Sequence, residues 1–170
     1  DVSIPASGQG ALGIESRIDD DKTNALIDFF NHAETDWAVR AERSFLKTLE
    51  GGCQVPIACH AQYAGGPGQL WLRGLVGSTD GSRILRAESK APDTAADSLG
   101  IRVAEDLLAQ GAADLRRVVE AARGGHVDAL VELRRAGCPW NADVFDEAVC
   151  NNHSHVIRHL HEHGCPAPAR

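Results

Sequence analysis

Residues 41–57 read AERSFLKTLEGGCQVPI, and the fold turns on the change of pattern inside this stretch. Up to Glu50 the apolar positions keep a helical period. Trp37, Val39, Ala41, Phe45, Leu46 and Leu49 give residues 36–50 a broad apolar face. Thr35 stands where a cap would start that helix, and Gly51-Gly52 where glycine's freedom would stop it. Beyond the glycines the period shortens. Residues 54–63, QVPIACHAQY, predict a strand, with Pro56 confining it to a sheet edge or to the strand's first residues.

The pattern continues downstream. Leu70-Trp71-Leu72 and Leu75-Val76 predict a second strand, Asp80-Gly81 a turn, and residues 83–88 a returning strand in alternation, which together signal a hairpin. Thr94 followed by Asp97 resembles a capping box, opening a helix through Leu99, Ile101, Val103, Leu107 and Leu108 that Gly111 ends. Helix, three strands and helix make an α+β domain with a three-stranded antiparallel sheet packed by helices.

Upstream, Gly8-Gln9-Gly10-Ala11-Leu12-Gly13 fits G-x-G-x-x-G letter for letter. A dinucleotide site would need a preceding strand, a following helix and a βαβ unit. Here Pro5 precedes the motif and Ile14-Glu15 continues as strand-like sequence, so it reads as a Gly-rich loop with unusual backbone angles. An amphipathic stretch follows over residues 23–30.

Downstream of the α+β domain the chain repeats itself. Residues 121–140 read AARGGHVDALVELRRAGCPW and residues 148–166 read AVCNNHSHVIRHLHEHGCP. An offset of 27 maps Ala121 on Ala148, His126 on His153, Leu130 on Ile157, Leu133 on Leu160, and Gly137-Cys138-Pro139 on Gly164-Cys165-Pro166. Each unit reads as a helix pair closed by Gly-Cys-Pro and resembles a divergent ankyrin-type repeat. Stacks of this kind normally need about three units, so the pair is expected to lean on the preceding domain or to continue beyond Arg170. The chain thus divides into residues 1–31, a Gly-rich opening; 32–115, the α+β domain; and 116–170, a short α-helical, ankyrin-like repeat pair.

Composition narrows the classes of function. The 170 residues are 43% hydrophobic and 24% charged, ordinary for a folded domain rather than a disordered one. The net charge of −7 and the lack of a basic stripe argue against nucleic acid as a partner, because phosphate neutralisation dominates that affinity. No apolar run approaches the roughly 20 residues that span a bilayer, so no membrane partner is expected. Cys53, Cys59, Cys138, Cys150 and Cys165 are odd in number and show no CxxC spacing. That points away from a disulfide scaffold and toward a reducing, soluble intracellular setting, cytoplasm or plastid stroma. The chain opens at Asp1 and contains no methionine, as expected of a processed product or a piece of a longer protein.

Cys53 is the candidate for chemistry. It follows two glycines between a helix end and a strand, an accessible place that suits either a nucleophile, where nearby cations favour the thiolate, or an incidental loop cysteine. Cys59 has no comparable motif and reads as a buried strand thiol. His155, His159 and His163 recur every fourth position, a spacing able to hold a metal. Their counterparts in the first unit are Asp128, Glu132 and Ala136, so the face reads as variable surface and no metal is assigned.

Several stretches together carry a resemblance. PASGQGALGIE at residues 5–15, AERSFLKTLEGGCQVPI at 41–57, LWLRGLVGSTDGSRILR at 70–86 and LGIRVAEDLLAQGA at 99–112 closely resemble hydroxymethylbilane synthase, also called porphobilinogen deaminase. The resemblance covers roughly residues 3–115. It implies a transferase of tetrapyrrole biosynthesis, the route to haem and chlorophyll, that joins four porphobilinogens with loss of ammonia into hydroxymethylbilane. It further implies a dipyrromethane cofactor held by a thioether to the cysteine of GGCQVPI, which is Cys53. Loss of ammonia or water from a pyrrolic methylene leaves an electron-poor carbon that a soft sulfur nucleophile traps. By the same resemblance residues 1–31 are the remnant of preceding enzyme domains, Gln9 and Gly10 face the cofactor, and porphobilinogen and linear polypyrrole intermediates are the partners. Arg17, at the end of the opening loop, is read either as a partner for a cofactor carboxylate or as a solvated arginine. The family's catalytic aspartate and most of its substrate-binding arginines belong to two further domains, whose motifs are absent from residues 1–170; no catalytic residue is therefore assigned in this chain. Without those domains Leu12, Ile14, Leu26 and Ile27 lose their burial site. The alternative reading is a non-catalytic interaction module that binds a protein through the repeat tail.

Overall fold

The computed structural model of the chain describes residues 3–49, 56–66, 68–78, 81–138 and 140–167. The elements run in the order α1 (Asp21–Ile27), a 3-10 turn (Asp28–Phe30), α2 (Ala33–Thr48), β1 (Ile57–Tyr63), β2 (Gln69–Gly77), β3 (Ile84–Pro92), a 3-10 turn (Asp93–Ala95), α3 (Ala96–Ala109), α4 (Ala112–Arg123), α5 (Val127–Arg135), α6 (Ala142–Cys150) and α7 (Ser154–Glu162). They group into two compact units. The first holds the opening, α1, α2, β1, the greater part of β2 and β3, and α3 as far as Asp106; the second holds the hairpin end between Val76 and Leu85 and the helices from Leu107 onward.

The sheet of the α+β domain has the order β1-β2-β3 and is antiparallel. Its register is set by the bonds at the strand ends. Ala64 N–H to Gln69 O (2.9 Å) closes the β1–β2 pairing, and Ser78 N–H to Arg83 O (2.8 Å) closes the β2–β3 hairpin. β2 alternates strictly, burying Leu70 and Leu72 and turning Trp71 and Arg73 to the other face, where Arg73 lies 4.5 Å from the Trp71 ring. The buried face carries α2 and α3. A Cβ at Gly74 would stand 2.5 Å from the Phe45 ring, so its absence lets Phe45 pack against β2. At Gly100 of α3, a Cβ would run into the Ala41 carbonyl and lie 2.7 Å from the Phe45 nitrogen. The two helices therefore cross with backbone against backbone. The core of this unit is Ala41, Phe45, Cys59, Leu70, Leu72, Leu99 and Val103.

Several boundaries differ from the sequence reading. The first long helix starts three residues early, at Ala33, because the His32 ring accepts the Thr35 N–H (3.3 Å) and takes the capping role expected of Thr35. Thr94 and Asp97 form no capping box. The Asp93 carboxylate takes the Thr94 N–H (2.8 Å), and Asp97 pairs instead with Arg40 across the α2–α3 crossing. The two short runs at 70–72 and 75–76 are one nine-residue strand. The expected stop at Gly51-Gly52 and the expected strand residues Gln54-Val55 lie outside the described residues, as does Asp80 of the turn.

In the second unit four helices share one apolar cluster: Val118, Ala121 and Ala122 of α4, Leu130 of α5, Val144 and Ala148 of α6, Val156 and Leu160 of α7, with Cys138, Trp140 and Cys165 from the connections. α5 and α7 end in matching corners. Cys138 N–H bonds Leu133 O (3.0 Å) and Cys165 N–H bonds Leu160 O (2.9 Å). Both cysteines are buried in those corners. Pro139 lies outside the described residues.

Candidate functional site

The Gly-rich opening forms a tight loop, not a nucleotide cradle. Gln9 N–H bonds Ala6 O (3.1 Å), Ala11 N–H reaches Gly8 O (3.4 Å), and the Gln9 side-chain oxygen accepts the Ala6 N–H (3.3 Å). Gly8 and Gly10 both sit at positive φ, +73° and +91°, which an L side chain adopts only with strain. No helix follows the motif directly; α1 begins at Asp21, so the geometry of a dinucleotide-binding loop is absent here.

Two groups from the α+β core hold this loop. The Glu42 carboxylate of α2 is buried, with 6% exposure, and accepts the Gly8 N–H at 2.6 Å and the Ala61 N–H of β1 at 2.8 Å. His60 Nδ1 stands 3.6 Å from the same carboxylate. The Cys59 thiol lies 3.0 Å from the Ser7 hydroxyl. Burial pushes that thiol up to about 12, against the opposing pull of the Ser7 hydrogen bond. Cys59 thus stays a neutral thiol at physiological pH and is a hydrogen-bonding partner rather than a nucleophile. The sequence reading gave Glu42 no role. Its signal was a charged residue within the apolar face of α2, next to Ala41.

Two grooves border the loop. The smaller, about 270 Å³, runs between Gln9, Gly10, Thr35, His60, Gln62 and Tyr63. The larger, about 690 Å³, runs between Gly10, Leu12, Ile14, Phe30, His32 and Arg43. That size falls in the range of small-molecule sites. Gly8 N–H, Gln9 N–H and Ala11 N–H are already bonded within the chain, so of residues 8–11 Gly10 has the amide left to meet a ligand. Arg43 supplies a guanidinium at the rim of the larger groove.

The expected site residues are only partly brought together. Gln9 and Gly10 line the smaller groove. Arg17 lies apart, with its side chain 83% exposed and 3.6 Å from the Asp20 carboxylate, and it borders neither groove. Cys53 lies outside the described residues. The histidines of α7 have other duties. His155 Nε2 donates to Gly125 O (2.9 Å), while His159 stacks on His163 with ring centres 4.1 Å apart. His163 lies past the end of the helix, and among the described residues no group of three potential ligands has a metal-binding arrangement.

Residues 37–109 match the family model of the porphobilinogen deaminase C-terminal domain. The match opens within α2 and closes on the last residue of α3, so it frames the helix–sheet–helix domain described above. This α+β region is therefore porphobilinogen-deaminase-like. The match covers less than half of the chain and lies inside the longer resemblance traced over residues 3–115. Cys53 falls within it; Gln9, Gly10, Arg17 and the helices α4–α7 fall outside. No helix among the described residues is long and apolar enough to cross a membrane.

Proposed function

We propose that the chain is the cofactor-bearing part of a hydroxymethylbilane synthase, with a dipyrromethane primer attached through a thioether to Cys53. The observation that carries this reading is the family match across residues 37–109, which contains GGCQVPI between α2 and β1. The groove beside the Gly-rich loop has the volume for a dipyrrole, and Gly10 N–H, Gln9 and Arg43 are donors suited to its carboxylates. Arg17 would reach such a carboxylate only by leaving Asp20. The bound primer would supply a nucleophilic pyrrole carbon for chain extension; this chain's share is to hold and orient it. Leu12, Ile18 and Phe29 stand exposed in the opening, in keeping with a surface that further enzyme domains would cover. The division into residues 1–31, 32–115 and 116–170 belongs to the same proposal.

The test is the intact mass of the protein isolated from its natural source. A dipyrromethane adduct on the Cys53 peptide, above the 18.1 kDa of the bare chain, is the expected result. A Cys53→Ala chain from the same source would carry no adduct. An unmodified Cys53 in the source protein overturns the reading.

A second reading is favoured by the tail: a protein-binding module of ankyrin-like helix pairs. It is supported by hydrogen bonds that recur 27 residues apart, His126 N–H to Ala121 O and His153 N–H to Ala148 O, both 2.9 Å. Positive φ likewise recurs at Gly125 and Asn152 and at Gly137 and Gly164. The His153 imidazole donates to Arg123 O (2.7 Å), tying one pair to the next. Recovery of a stoichiometric protein partner on residues 116–170 with Cys53 unmodified is the result this reading expects.

A further inference from the structure

We propose that Glu42 is a positioning residue: its carboxylate fixes the Ser7–Gly10 loop against β1 and thereby sets the groove wall formed by Gln9 and Gly10. Glu42 is the one buried charged side chain among the described residues. Taking a carboxylate out of water is costly unless its lone pairs are bonded. Here the two oxygens are divided between two backbone donors from segments far apart in sequence: Oε2 takes Gly8 N–H and Oε1 takes Ala61 N–H. One side chain thus joins three pieces of chain: α2, β1 and the loop. Of the remaining ties on the loop, only the Ser7–Cys59 contact reaches beyond the opening itself.

The chemistry of the site demands this residue type. Glutamine keeps the length but offers one oxygen and one NH2 group, so one backbone N–H would face another donor. Aspartate keeps the charge but is one methylene shorter and cannot span both donors. Gly8 combines the clamped N–H with a positive φ of +73°, so the residue that Glu42 holds is also one at which the loop turns.

The positioning role holds with or without an attached pyrrole. Only its consequence, that Gln9 and Gly10 face the cofactor from a fixed wall, rests on the synthase reading. Amide hydrogen exchange on the full chain tests it by NMR, comparing the native protein with Glu42→Gln and Glu42→Asp. The expected result is at least a tenfold faster exchange at Gly8 in both variants. The Gly8 amide proton should also move upfield as its short bond to a carboxylate is lost, while Leu72 and Val103 stay within twofold of the native rates. Unchanged exchange at Gly8, or equal acceleration at Gly8, Leu72 and Val103, overturns the proposal. Should both variants fail to fold, the native chain decides by the same exchange measurement: a Gly8 amide protected at least tenfold more than that of Gly10 supports the clamp, and equal exchange at the two overturns it. Absence of an adduct on Cys53 leaves all of these readouts unchanged, so the two readings fail separately.

Discussion

The opening of the chain and its helical tail are built from similar material and end in opposite states. Residues 12–30 carry Leu12, Ile14, Ile18, Leu26, Phe29 and Phe30, all exposed, and α1 buries no residue. The tail, over α4–α7, turns Val118, Leu130, Val144, Val156 and Leu160 into one cluster. Both segments are amphipathic. The difference is that each tail helix has a neighbour of its own kind, whereas a seven-residue helix without a docking face has too few hydrogen bonds to offset its nucleation cost. Apolar pattern predicts which face of an element wants cover; only a partner supplies it.

The largest expected effect comes from breaking the packed side of this contrast. Leu130→Ala or Leu160→Ala, each removing a fully buried side chain, should lower unfolding stability by about 2–5 kcal/mol. Leu12→Ala and Ile18→Ala, at 100% and 97% exposure, should stay within about 0.5 kcal/mol. Urea titrations of the four variants make the comparison directly. An equal loss at Leu12 would show that the opening has cover within this chain and would end the contrast.

A smaller loss is expected at the helix crossing of the α+β domain. Gly100→Ala places a methyl against the Ala41 carbonyl and the Phe45 nitrogen, backbone atoms that no rotamer change can move. Forcing α2 and α3 apart should cost about 1–3 kcal/mol, read as a fall in the urea midpoint. A neutral Gly100→Ala would mean that the crossing has slack, and that this domain is packed less closely than the tail.

How much of this was legible follows the same division. The helix–sheet–helix domain was readable because its periods are clean: a helical stripe through Phe45, a strict alternation along Leu70 to Val76, and a turn signal after it. The boundaries were less so. His32 outcompeted Thr35 as a cap because an imidazole nitrogen can accept a backbone N–H, which no propensity rule for caps ranks highly. Asp97 looked like a capping residue by spacing, but Arg40 on another helix claimed it. The Gly-rich loop was legible as a loop, and its grip was not. The Glu42 clamp joins residues 8, 42 and 61, a contact that exists only once α2 and β1 are packed. Arg17, by contrast, had only its nearness to the motif in sequence, and a local carboxylate at Asp20 satisfied it first.

That local carboxylate gives the smallest of the expected effects and the finest test of the opening. Asp20 caps α1, accepting the Thr23 N–H (3.1 Å) and the Thr23 hydroxyl (2.8 Å). These bonds favour the charged form and hold Asp20 below its ordinary value of 3.8; the Thr23 backbone bond is the largest cause, and Arg17 adds a minor pull in the same direction. A carboxyl with a depressed folded-state pKa contributes its stabilisation above the unfolded value and loses it as pH falls through the folded one. The Asp20 side-chain protons should therefore titrate with a midpoint below 3.8, and the Thr23 amide should follow the same curve. Asp20→Asn should keep α1 while abolishing that pH dependence, because asparagine caps without a charge. Thr23→Ala should raise the midpoint more than Arg17→Ala does. A midpoint at or above 3.8 in the native chain would show that the cap is not held, leaving the opening without even the local order that distinguishes α1 from an unstructured strand of apolar residues.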